Sequence, residues 1–154
     1  TGAWLAGQND YATFLEPEAS TLEKEGKAFP LGSGGKEAGM VDYTVFTTTD
    51  AFLKKNRAAV QAWTNAVAKA QKYTASAPAA ELADLVGEYF TGVSKPELTS
   101  AIERYQGLQL WKKTPLVEKE AMDKLQDMLV QGGVLEPAKK VDYAKFVDMS
   151  LVQK

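Results

Sequence analysis

The sequence predicts a helix-rich α/β fold, with strands in the first third of the chain and helices in the remainder. Short apolar runs bounded by turn residues occur before Asp50, and such runs are typical of strands. After Asp50 the apolar residues recur every three or four positions, which is typical of amphipathic helices. The 154 residues are 45% hydrophobic, so the chain has enough apolar material for the core of an ordinary domain.

Three segments carry the strand pattern: Tyr11–Leu15, Lys27–Leu31 and Tyr43–Thr49. The last is the clearest, because it is dense in β-branched and aromatic residues and is bounded by Asp42 and Asp50. Two or three short strands form only a marginal sheet by themselves. We therefore expect further strands to come from residues outside this sequence or from another copy of the chain.

The helices are predicted from their termini and their apolar stripes. Pro17 suits the first turn of a short helix that ends at Gly26. The longest helix begins near Asn56, and its apolar stripe is predicted to face the core. That stripe consists of Val60, Trp63, Val67, Ala70 and Tyr73.

Three more long helices follow along the chain. The first opens at Ser76 and Pro78, and the second opens with the capping-box pattern Ser94-Lys-Pro-Glu97. The third begins at Thr114-Pro115 and stops at Gly132-Gly133. In the helix that opens at Ser76 and Pro78, four side chains are predicted to point inward: Leu82, Leu85, Val86 and Phe90.

Charge and composition exclude several classes of function. Lys plus Arg total 18 against 20 for Asp plus Glu, so the net charge of −2 offers no broad basic face to nucleic acid or to an anionic membrane. The chain contains no His and no Cys, which excludes imidazole bases, thiolate nucleophiles and the usual zinc ligands. We expect a protein that is not an enzyme and that needs no cofactor or metal.

The chain begins at Thr1 without the charged and apolar regions of an export signal. No run approaches the roughly 20 apolar residues that a membrane span needs. The opening residues look like the end of an interrupted helix, so we expect a processed or truncated piece of a longer protein.

Glu16 is the acidic residue with the most distinctive position, at the end of a predicted strand and beside a helix start. A carboxylate there could accept hydrogen bonds from ligand N–H or ammonium groups. It could equally be a structural acid that the positive end of the helix dipole stabilises. Asp10 and Asp42 are candidate partners for acid–base work by position only.

Aromatic residues on two of the predicted strands could form the walls of a ligand site. Tyr11, Phe14, Tyr43 and Phe46 could stack on a flat ligand, or they could belong to the core. The loop Gly32-Ser-Gly-Gly35 could bind an anion through its backbone N–H groups. It lacks the pattern of a phosphate loop, so a flexible connection is the better interpretation.

An ordered set of motifs carries a family resemblance. The succession Gly7-Gln-Asn-Asp10-Tyr-Ala, Glu16-Pro17, Leu22-Glu-Lys-Glu-Gly26 and Val41-Asp-Tyr-Thr-Val45 resembles the second half of solute-binding proteins of ABC importers. The likeness is to the nitrate, taurine and thiamine-precursor type. Downstream, Phe52-Leu-Lys-Lys-Asn56 and the later helices are similar to that family's C-terminal helices.

The resemblance implies the C-terminal portion of a type II periplasmic-binding-protein fold. Residues 1–40 would be the end of lobe 2, residues 41–49 the return hinge strand, and residues 50–154 the C-terminal helical part of lobe 1. The family's N-terminal half has no counterpart here, so we also expect a possible strand-swapped homodimer of this fragment.

The resemblance further implies an extracytoplasmic receptor, periplasmic or at the cell surface, that captures a small organic solute in an interlobe cleft by hinge closure. The receptor would deliver the solute to an ABC permease and meet the membrane only through the permease or a missing lipid anchor. Glu16 would be the polar anchor, with Phe14, Tyr11 and Tyr43 as walls. The alternative is the same fold reused as a thiamine-pyrimidine-type enzyme or as a ligand-sensing regulatory domain.

Overall fold

A computed structural model describes residues 1–152, and these residues form helices and connecting segments without any β-strand. The α-helices are α1 Gly2–Leu5, α2 Glu18–Lys24, α3 Gly34–Ala38, α4 Asp50–Lys55, α5 Arg57–Ser76, α6 Ala79–Val86, α7 Lys95–Gly107 and α8 Lys119–Gln131. Short 3-10 helices cover Gly87–Tyr89, Pro137–Lys139 and Tyr143–Lys145. Among the described residues, no helix combines the length and the apolar character that a membrane span requires.

The prediction of an α/β fold with strands in the first third is wrong. Residues 11–15, 27–31 and 43–49 contain no strand. A strand is defined by hydrogen bonds to a neighbouring strand, and β-propensity expresses how well side chains fit such a packed surface. No backbone–backbone hydrogen bond of the described residues involves residues 9–14, 29–32 or 40–48. The apolar residues that suggested strands are instead exposed, as Phe29, Leu31, Tyr43 and Phe46 show.

The described chain divides into two compact units. The first unit comprises residues Thr1–Ser33 and Thr74–Trp111. Its core lies between α6 and α7, where Leu82 and Ala83 pack with Leu98 and Ile102. Ala77 and Ala79 complete this cluster, and Val86 and Val93 cover its edge. The small alanine side chains allow the two helices to approach closely, as ridge-into-groove packing requires.

The start of α7 is fixed by the capping box that the sequence predicts. The N–H of Ser94 donates to Glu97 Oε2 at 2.9 Å, and the Ser94 hydroxyl donates to the same oxygen. These two hydrogen bonds, the one from the side chain being the larger cause, lower the pKa of Glu97. The capping box therefore determines the residue at which α7 begins, and the helical period then determines the direction in which each later side chain points.

The second unit comprises residues Gly34–Tyr73 and Lys112–Lys154. Its buried side chains are few among the described residues, and α8 provides Ala121, Met122 and Gln126. The amide of Gln126 donates to the carbonyl of Val141 at 3.1 Å and accepts from its N–H at 2.7 Å. This pair of hydrogen bonds ties the C-terminal segment to α8 and satisfies a buried polar side chain.

Helix α5 differs from its prediction in what it buries. None of its 20 residues is buried, although the sequence placed Trp63 and Tyr73 in the core. Trp63 is 55% exposed, and Tyr73 is also exposed. The helix forms where the apolar period predicts it, so the prediction of secondary structure is confirmed. The prediction that its apolar stripe is buried is wrong.

We expect Leu82→Ala to destabilise the protein by about 2–5 kcal/mol, because it leaves a cavity between α6 and α7. Leu82 is 5% exposed, whereas Leu85 on the same helix is 61% exposed despite its predicted inward position. The matched control Leu85→Ala should therefore change the free energy of unfolding by only about 0.5 kcal/mol or less. Urea denaturation measures both variants, and equal losses would mean that the core does not lie where the structure places it.

Candidate ligand site

Glu16 precedes helix α2 and turns its carboxylate back towards the start of that helix. The N–H of Ser20 donates to Glu16 Oε2 at 3.0 Å, which satisfies one of the free N–H groups of the first turn. The Glu16 side chain is only 4% exposed. A carboxylate is rarely so buried without a charged partner.

The charged partner comes from α7, far along the sequence. Arg104 Nε lies 3.0 Å from Glu16 Oε1, and the same guanidinium also binds Glu23 through Nη2. The approach to Oε1 is ionic, because that oxygen has no hydrogen-bond partner. Tyr105, the next residue of α7, accepts a hydrogen bond at its hydroxyl from the Glu16 N–H at 3.0 Å.

Beside this ion pair the first unit has an open depression of about 290 Å³. Its lining alternates in charge, with carboxylates, cations and hydroxyls, and includes the buried Ser20, whose Oγ has no hydrogen-bond partner. The lining residues are Ser20, Glu23, Lys24, Glu97, Ser100 and Arg104. These side chains offer both hydrogen-bond donors and acceptors.

The aromatic residues predicted as ligand walls lie in different places. Phe14 packs edge-on against Trp4, with ring centroids 5.3 Å apart, and Tyr11 is exposed. Both belong to the same unit as Glu16. Tyr43 lies in the second unit and is 83% exposed. Their role in binding stays a prediction, as does that of Glu16.

No pattern in the sequence identifies Arg104 or Tyr105 as a partner of Glu16. Tyr105 has an inward position on the predicted helix, but nothing in the sequence shows what it contacts. Arg104 has a position typical of a basic residue near the end of a helix, where it is favourable in any case. Only the packing of α7 onto α2 brings Arg104 to the Glu16 carboxylate, 88 positions earlier in the chain.

A second buried carboxylate, Asp42, serves a structural purpose in the second unit. Its Oδ1 lies 2.8 Å from Lys112 Nζ, and its Oδ2 accepts from the N–H of Glu118 at 3.0 Å. The Tyr143 hydroxyl donates to the carbonyl of Val117 nearby at 2.6 Å. Burial and, secondly, the charge of Asp42 raise the pKa of Tyr143. Both oxygens of Asp42 are thus occupied within its own unit.

Comparison with known proteins gives one informative relative. The chain is 29% identical over 152 residues to a Bacillus subtilis (strain 168) protein named "Putative binding protein YtlA". The match covers 99% of this chain and 45% of that relative, so the chain spans less than half of the relative's length. No family model matches the chain, and no solved structure matches it. The relative's name supports a binding role in general terms.

We expect Arg104→Met to lower the free energy of unfolding by about 1–3 kcal/mol, because the buried Glu16 carboxylate would lose its cation. The matched control is Lys95→Met, since Lys95 pairs with Asp84 at the surface, where both side chains are more than half exposed. That control should cost about 1 kcal/mol or less.

The loss of stability caused by Arg104→Met should be smaller in a protein that already carries Glu16→Gln, because no buried carboxylate charge would then be left without its cation. Urea denaturation of the two single variants and the double variant measures this coupling. Strictly additive effects would show that the Glu16–Arg104 pair contributes nothing to stability.

Proposed function

We propose that this chain is part of the solute-binding component of an ABC importer, which captures a small organic solute outside the cytoplasm and delivers it to the permease. The observation that carries the proposal is the 29% identity, over nearly the whole chain, to a protein named as a binding protein. The motif resemblance from Gly7 to Val45 supports the transport assignment. Because the chain spans 45% of that relative, the transport activity concerns the whole protein.

The chemistry of the first unit supports capture of a polar solute. The buried Glu16 carboxylate is paired with Arg104, whose Nε lies 3.0 Å from Glu16 Oε1, and Arg104 and Ser20 both line the neighbouring depression. A ligand N–H or ammonium group that took the place of Arg104 beside the Glu16 carboxylate would form a charge-assisted hydrogen bond. Such a bond contributes about 1.5–3 kcal/mol, which is enough to select between solutes.

A thermal-shift screen tests the proposal on the full-length protein from which this chain comes. Pyrimidines, sulfonates and inorganic anions represent the solute classes of the resembled family. Binding raises the midpoint of unfolding by mass action, so a solute at a hundred times its Kd should stabilise the protein by about 2.7 kcal/mol. The absence of any shift across these classes would count against a solute receptor of this type.

We expect Glu16→Gln to weaken binding of a solute found in that screen by more than about tenfold, which is about 1.4 kcal/mol. Gln keeps the shape of the side chain and an oxygen that can accept from the Ser20 N–H, but it removes the charge. The matched control is Glu25→Gln, because Glu25 pairs with Lys27 at the surface. Isothermal titration calorimetry measures both affinities.

Circular dichroism would establish that each variant keeps its helix content. An unchanged affinity in folded Glu16→Gln would assign Glu16 a structural role alone. A tenfold loss in Glu25→Gln would show that the effect is not specific to the Glu16 position.

A further inference from the structure

Helix α5 exposes a face that lacks the polar residues expected of a solvent-facing surface. This face, called here the outer face of α5, follows the helical period and consists of Ala59, Ala62, Trp63, Ala66, Lys69, Ala70 and Tyr73. All seven residues are exposed, and only Lys69 carries a charge. The outward face of a helix in a water-soluble domain is normally charged or polar.

The opposite face of α5 is already in use by its own unit. Val60, Gln61, Thr64 and Val67 on that side are partly covered, and Gln61 donates to the carbonyl of Leu151 at 2.8 Å. The helix therefore has apolar residues on two sides, of which the unit covers one.

An aromatic pair adds to the outer face of α5. Phe46 packs edge-on against Trp63 with ring centroids 5.3 Å apart, and the two residues are 72% and 55% exposed. Large rings that are held in place and still open to solvent are typical of the residues that contribute most to protein–protein association. The pair lies on the side of α5 from which a partner would approach.

The exposed area of the chain is large enough to accommodate such a partner. The described molecule has 11221 Å² of accessible surface. Two separate globules of half its mass would together expose only about 9,200 Å². This excess of about 2,000 Å² belongs to the chain as a whole, and it is more than the roughly 800 Å² that each partner contributes to a standard interface.

We propose that the outer face of α5 binds the same face of a second copy of this chain, with the two helices antiparallel and crossing near Ala66. A two-fold interface requires that one surface complement itself. An antiparallel crossing at residue 66 sets Tyr73 of one copy opposite Ala59 of the other, so that a large side chain meets a small one. It also brings Lys69 over the partner's Trp63, which favours a cation–π contact.

The chain's lack of cysteine makes the geometry directly testable. In Ala66→Cys the only two thiols of a dimer would meet at the crossing point, where mild oxidation should join them as a disulfide. Asn65→Cys is the matched control, because its side chain points about 100° around the helix from Ala66. We expect efficient cross-linking of Ala66→Cys and little cross-linking of Asn65→Cys. Equal cross-linking, or none, would overturn the proposed crossing.

Light scattering coupled to size exclusion tests the association itself. We expect the 154-residue chain to have twice its 16.7 kDa mass. Ala66→Glu places two carboxylates at the crossing point and should weaken dimerisation by at least about a hundredfold, because like charges facing each other cost several kcal/mol. Asn65→Glu adds the same charge away from the outer face of α5 and should leave the dimer unchanged.

A chain that is monomeric at every concentration would overturn the proposal, as would a dimer that Ala66→Glu does not weaken. Both variants keep their aromatic residues, so the near-ultraviolet circular dichroism of the chain reports whether they fold. These measurements use no solute, and their outcome is independent of the transport proposal.

Discussion

The packing of α6 on α7 is the interaction on which the first unit depends. Leu82 and Ala83 hold Leu98 and Ile102 in a small buried cluster, and the capping box at Ser94 sets the position at which α7 begins. Once the start and the buried face of α7 are fixed, the helical period determines where Arg104 and Tyr105 point. The carboxylate of Glu16 can be buried because Arg104 is held in position to pair with it, while the Tyr105 hydroxyl accepts from the Glu16 N–H.

Glu16 has a structural role, and the arrangement that gives it this role also bears on the binding role proposed for it. Its Oε2 caps the start of α2 through Ser20, and its Oε1 faces Arg104 without a hydrogen bond. Burial strengthens both interactions, since an ion pair is screened less when water is excluded. An anchor for a polar solute benefits from the same property, because a carboxylate already held in place loses little conformational freedom when a ligand binds.

The sequence predicted local structure better than it predicted long-range contacts. The capping box at Ser94 and the apolar period from Val60 to Tyr73 are signals within a few residues of one another, and helices lie where they predict them. The strands at 11–15, 27–31 and 43–49 were wrong because a strand exists only with a hydrogen-bonded partner, which local propensity does not reveal. The Glu16–Arg104 pair was missed for a similar reason, because its two members are separated by 88 positions.

Trp63 shows why burial is harder to predict than helix formation. The apolar stripe that contains Trp63 follows the helical period, but a period identifies an apolar face without saying what covers it. In α5 the alanines on one side and the valines on the other make two such faces, and a single neighbouring layer can cover only one. The chain exposes about 2,000 Å² more than two separate globules of half its mass each, and many large apolar side chains are among its exposed residues. Association reduces this cost without new secondary structure, since it covers a helix face that is already formed.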